Sequence, residues 1–166
     1  AIAQTRVNGV DGKNPAKDIK HNLDYMLECI DIAQGYGGRS DLICFHEFPI
    51  VGFSNWSREE HYKIAIDVPG AETEEIGKKC QDYGCYIVFG TYAKDPDWPD
   101  HILHLMVLMG PDGNVVAKHW KQRNVRGLFP GSEQYTSAIY DVYDRFIEMY
   151  GEDAVIPVAK TDIGNI

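Results

Sequence analysis

Apolar positions along the chain change period several times. The opening "AIAQTRV" reads as a strand, and a loop with Gly9, Gly12 and Pro15 follows. Ile19, Leu23, Met26, Ile30 and Ala33 then recur at helical spacing, the pattern of a helix that buries one stripe. Asn14-Pro15 supplies a cap and a first-turn proline, and Gly37-Gly38 stops the helix. "LICF" (42–45) is a short apolar run of strand type. Residues 50–70 predict an irregular segment with a short helix at 59–64, closed by Pro69-Gly70.

A second helix is predicted over 72–83, with Ile76, Cys80 and Tyr83 on one face and Gly84 at its end. "CYIVFGTY" predicts a third strand. "ILHLMVLM" and "NVVAKHW" flank "GPDGN" and so predict a hairpin, because Asp-Gly is a strong turn signal. A third helix is expected over 139–150, where Ile139, Val142, Tyr143, Phe146 and Met149 form an apolar stripe suited to docking on the domain or on a partner subunit. "AVIPVAK" predicts a further strand, and "DIGNI" the start of one more. Strand, helix, strand, helix and then a run of strands is the order of a layered α/β domain. A single domain over 1–166 is expected, under way at Ala1 and still in a strand at Ile166. A sheet broken off there would show an open edge, to be covered by further polypeptide or by a second copy in a homo-oligomer.

Composition narrows the class. A net charge of −9 argues against nucleic acid or an anionic membrane as partner, since both need a basic face. No run approaches the roughly 20 apolar residues of a membrane span. Cys29, Cys44, Cys80 and Cys85 fall within predicted helices and strands and lack disulfide-framework spacing, so reduced, buried thiols in a cytoplasmic protein are expected. No second ligand pair at finger spacing follows Cys80 and Cys85, so no zinc site is expected.

Two charged residues stand where apolar strands end. In "DLICFHEFP" the run Leu42–Phe45 leads into His46 and Glu47. A carboxylate at the mouth of a core strand needs a partner, because an unpaired buried charge costs several kcal/mol, of order 3–5. On its own, Glu47 can be a helix cap or a structural ion-pair member. Lys121 follows a strand whose alternation sets Ala117, His119 and Lys121 on one face. A surface lysine that protects a strand edge is its simplest reading. His46 points to the opposite face of its strand from Glu47 and reads as structural. His101 and His104 lie three apart, on opposite faces of a strand, which argues against a shared metal. Trp56, Trp98 and Trp120 read as packing residues. The glycine-containing loops match no phosphate-binding fingerprint.

The order "DLICFHE", "PGAETE", "YGCYIVFGTYA" and "GPDGNVVAKHWK" resembles the nitrilase superfamily of carbon–nitrogen hydrolases over roughly residues 1–135. Leu128-Phe129-Pro130-Gly131, after the hairpin lysine, is similar to the aliphatic amidase and formamidase branch. The resemblance implies an α-β-β-α sandwich, incomplete in this chain, and a Glu–Lys–Cys catalytic triad. Glu47 matches the glutamate, as general base, and Lys121 the lysine, beside the oxyanion. None of the four cysteines matches the nucleophile, whose place follows a strand that begins as "TDIGNI" does. Arg126 stands where that branch often has a second glutamate, and Glu133 lies beyond the Pro-Gly, so both are candidate substrate-binding residues. The implied reaction is hydrolysis of a small amide, nitrile or carbamoyl compound with release of ammonia, needing water and no cofactor. A non-catalytic binding or assembly subunit on the same fold is the alternative.

Overall fold

A computed structural model describes residues 1–36, 38–125 and 135–166. The first helix, α1 (Pro15–Gly35), starts at the proline, as its fixed φ favours. Asn14 is its N-cap by position, yet its side chain makes no capping hydrogen bond. The Asp18 carboxylate, in the first turn, accepts from the Asp11 amide instead. Three short elements follow: β2 (Leu42–Phe45), after the opening β1 (Ile2–Ala3), then α2 (Arg58–Ile64) and β3 (Ile66–Asp67). α2 has a reciprocal cap, with Ser57 and Glu60 each satisfying the other's amide. α3 (Ala71–Tyr83) ends at Gly84, whose φ of 61° is the left-handed conformation that ends many helices. β4 (Tyr86–Lys94), β5 (Ile102–Met109) and β6 (Val115–Trp120) are the long strands, and β7 (Thr136–Ser137) is a two-residue addition.

These strands make one sheet of order β1-β2-β4-β5-β6, with β3 also paired to β4 and β7 to β5. β1, β2 and β4 run parallel, β5 is antiparallel to β4, and β6 is antiparallel to β5. β2, β4 and β6 therefore share one direction and end at one edge of the sheet. The registers Ile43↔Ile87↔Met109 and Phe89↔Val107 put these side chains on one face. They form a single core with Met26 and Ile30 of α1 and Ile76 and Cys80 of α3. Across β2 to β5 the alternate positions Cys44, Val88 and Met106 are only half-buried. Of the four layers implied above, the described residues thus supply a helix layer and a sheet.

The C-terminal third departs from its apolar pattern. The stripe over 139–150 divides into a 3-10 turn, Ile139–Asp141, and α4 (Tyr143–Tyr150). Phe146 of α4 docks on Trp120, and Trp98 packs edge-to-face with the same Trp120. Trp98 and Trp120 are thus packing residues, while the half-buried Trp56 donates to the Val10 carbonyl. "AVIPVAK" is extended and paired only at its end: Glu152–Val155 is a 3-10 turn, while β8 (Lys160–Thr161), preceded by the reciprocal backbone bonds of Ala159 and Ile166, pairs with β9 (Gly164–Asn165). Pro157 removes a ladder donor, and Ile156 and Val158 stand 67% and 60% exposed with no strand beside them among the described residues. Similarly, only two residues of "AIAQTRV" pair as a strand. Cys80 and Cys85 are buried as expected, whereas Cys29 and Cys44 are half-buried; all four are free thiols. Among the described residues no helix is long and apolar enough to cross a membrane.

Candidate active site

Glu47 lies just past the end of β2, and Lys121 just past the end of β6. Two strands, β4 and β5, separate them. At the usual 4.7–4.9 Å spacing that gap is about 14 Å, too far for a side-chain ion pair without further help. The help comes from each intervening strand.

On β4 it is Gly90. A Cβ built there would lie 2.3 Å from the Glu47 carbonyl oxygen and 2.6 Å from its Cα, so only glycine lets the chain after β2 lie over β4. The Gly90 amide donates to the His46 carbonyl at 3.1 Å and fixes that crossing. His46 secures it from the other side. Its Nδ1 accepts the Phe48 amide at 3.1 Å, so the ring proton sits on Nε2, 2.7 Å from Thr5 Oγ1. Burial lowers the His46 pKa against the opposing pull of Glu47, in keeping with a neutral structural ring.

On β5 it is His104. Its Nε2 lies 2.9 Å from Glu47 Oε1, and Lys121 Nζ lies 3.2 Å from the same oxygen. Lys121 is placed by its own backbone, which donates to the His104 carbonyl at 2.8 Å. His104 faces Tyr92 of β4 in register and stacks on Phe48, with ring centroids 5.1 Å apart. Behind Tyr92 stands His61 of α2, at 4.2 Å between centroids. The site is therefore a carboxylate with two nitrogen donors at its mouth and an aromatic floor.

The electrostatics follow from these contacts. The His104 hydrogen bond, with help from the His104 and Lys121 charges and the Lys121 hydrogen bond, outweighs burial and holds the Glu47 carboxyl at about 2. Burial, aided by the Glu47 charge, raises the Tyr92 hydroxyl well above its ordinary value. Burial, aided by His104, pushes His61 down to about 4. Around neutral pH Glu47 is a carboxylate and His61 a neutral ring.

Of the sequence candidates, the structure brings Glu47 and Lys121 together. Arg126 and Glu133 lie outside the described residues. His101 bonds Ser137 Oγ at 2.7 Å while His104 faces Glu47, so the two serve different places, as their spacing implied. No cysteine among the described residues makes a hydrogen bond to Glu47 or Lys121. Nor do three His, Cys, Asp or Glu side chains converge there as a metal site would need. His104 is the site residue that sequence reasoning missed. Its signal was a lone imidazole in the otherwise apolar "ILHLMVLM", since a buried ring nitrogen needs a partner.

Comparison with known proteins gives the family. The family model described as carbon-nitrogen hydrolase matches residues 1–166. A bifunctional nitrilase/nitrile hydratase (NIT4A) of Lupinus angustifolius is 30% identical over 108 residues, 64% of this chain and 25% of that protein. The chain thus spans about a quarter of the length of that relative. Among solved structures, the C. elegans NitFhit protein superposes with a TM-score of 0.67 at 17% identity, over 99% of this chain and 35% of that one. An N-terminal amidase with a Gln-Gly peptide gives 0.60 at 15% identity, over 75% and 28%. An amidase from Nesterenkonia sp. gives 0.53 at 18%, over 82% and 47%. These three likenesses are of fold, and the match over the whole length settles the family: the chain belongs to the carbon-nitrogen hydrolases.

Proposed function

We propose that this chain carries the base and the oxyanion-stabilising lysine of a thiol-dependent hydrolase acting on a small carboxamide, or on a related nitrile or carbamoyl compound. The observation that supports this most is the Glu47–Lys121 pair, closed to 3.2 Å across two intervening strands. An ion pair half open to solvent adds little stability, typically 0.2–1 kcal/mol, so stability alone is a weak reason for building it.

In the proposed reaction Glu47 accepts the proton of a cysteine thiol as the sulfur attacks the carboxamide carbon. The tetrahedral oxyanion forms beside Lys121, whose fixed charge stabilises it. Glu47 returns the proton to the departing nitrogen, which leaves as ammonia and a thioester. It then takes a proton from water, whose attack releases the acid and restores the thiol. A carboxyl held at about 2 is a weak base at rest. Its basicity rises when substrate excludes water and Lys121 turns its charge toward the oxyanion.

The test is ammonia release by the whole protein from a panel of carboxamides, nitriles and carbamoyl compounds. Glu47→Gln and Lys121→Met should each lower turnover by at least about a hundredfold, in the range of lost acid–base and oxyanion terms. The alternative, a binding or assembly subunit, draws its support from the Glu47–Lys121 pair having no cysteine contact among the described residues. Under that reading the wild-type protein releases no ammonia from any of the panel, and E47Q keeps its partner.

A further inference from the structure

His104 holds both members of the pair at once. Its carbonyl accepts the Lys121 amide at 2.8 Å, and its Nε2 meets Glu47 Oε1 at 2.9 Å. The imidazole is 7% exposed, whereas the Glu47 side chain it meets is 50% exposed. Its ring is fixed between Phe48 and Tyr92, each at 5.1 Å between centroids. The groups that can titrate around it are Glu47 and Lys121 in front and Tyr92 and His61 behind. A carboxylate only accepts hydrogen bonds, so the nitrogen facing Glu47 carries the proton. Both donors fall on Oε1, and Oε2 has no hydrogen bond among the described residues.

We propose that His104 is a positioning residue that anchors Glu47 through Oε1, leaving Oε2 as the atom that exchanges protons in the reaction. This rests on the hydrolase reading above only for its second half. The orientation itself is a property of the resting protein. His104 keeps its Nε2 proton throughout and passes none to substrate. An anchor of this kind has two effects. It removes the rotamer freedom of a half-exposed glutamate, so that the free oxygen points one way. It also stabilises the carboxylate against protonation, which matches the direction of the Glu47 shift and its leading cause.

The experiment is a carboxyl 13C titration of the whole protein labelled in glutamate, with the Glu47 resonance identified by its loss in E47Q. His104→Phe keeps a ring for Phe48 and Tyr92 to pack on and removes the donor. Its Glu47 midpoint should rise by about one pH unit or more, the size of a lost charge-assisted contact. His104→Gln restores a donor and should bring the midpoint back down. His104→Leu gives the same comparison if the Phe variant does not fold. With substrate, kcat should fall at least about tenfold while KM changes little, the split of a group that acts on the base.

A Glu47 midpoint in folded H104F or H104L within about 0.3 units of wild type, well under the one-unit shifts such partners produce, overturns the proposal. The hydrolase reading fails separately, if wild type and E47Q release equal ammonia. A midpoint that moves in H104F supports the anchor in either event.

Discussion

Replacing Gly90 by alanine should harm the site far more than the fold. The added Cβ would lie 2.3, 2.6 and 2.7 Å from the carbonyl oxygen, Cα and carbonyl carbon of Glu47. All three are main-chain atoms, so no side-chain rotation relieves the contact. Ordinary contact begins at 3.4 Å, so the Glu47 backbone must retreat by about 1 Å. Overpacking of this kind costs about 1–3 kcal/mol. Loss of unfolded-chain freedom on Gly→Ala offsets about 0.4–1 kcal/mol of that. The net, about 0–2.6 kcal/mol, is survivable for a domain of ordinary stability, about 5–15 kcal/mol. The geometric effect is larger. A displacement of about 1 Å in a catalytic group can cost roughly a hundredfold in rate. Guanidinium denaturation and ammonia release, run on the same preparation of the whole protein, separate the two effects. A G90A protein more stable than wild type by about 0.4–1 kcal/mol, the gain left when no contact opposes it, would refute the close-approach argument. So would activity within a factor of two, because the Glu47 backbone would then not have moved.

Two further outcomes are expected. The Glu47 carboxyl falls from an ordinary 4.5 to about 2, so the native state gains stability that is complete above pH 4.5 and fades as pH drops through about 2. Because the side chain is half exposed, solvent screening holds this to about 1 kcal/mol, and the stability gap between wild type and E47Q should close between pH 4.5 and 2 in denaturation series; a gap independent of pH in that window would contradict it. Burial, with Cys85 and Asp112 nearby, pushes the Cys80 thiol up to about 12. At pH 8 that leaves about one thiolate in ten thousand, so a disulfide reagent should modify Cys80 only through unfolding, and labelling of Cys80 as fast as of half-buried Cys44 would show the burial to be wrong.

What could be read from the sequence follows the range over which each feature is decided. Helices α1 and α3 and the β5–β6 hairpin are written in local period and turn chemistry, and the expected segments match them to within a residue or two. Most of "AVIPVAK" fails for a non-local reason, since an apolar run becomes a strand only where an edge is free to pair, and among the described residues none lies beside 154–158. Glu47 and Lys121 are suggested by the order of motifs, but their meeting goes through Gly90, which carries no local mark of function, and His104, marked only as a lone imidazole in an apolar strand. The registry of β5 shows why His104 belongs to the fold as well as to the site. Almost every residue of "ILHLMVLM" is buried, so apolar alternation alone does not choose which face of the strand meets the helices. A slip of one position would turn the imidazole into the aliphatic core among Leu105, Val107 and Phe89. There its ring nitrogens would lose the carboxylate, at a cost of about 1–3 kcal/mol for an unsatisfied buried polar group. The contact that orients Glu47 is thus also a penalty against the wrong register, and the strand that carries His104 is set by the same bond that assembles the site.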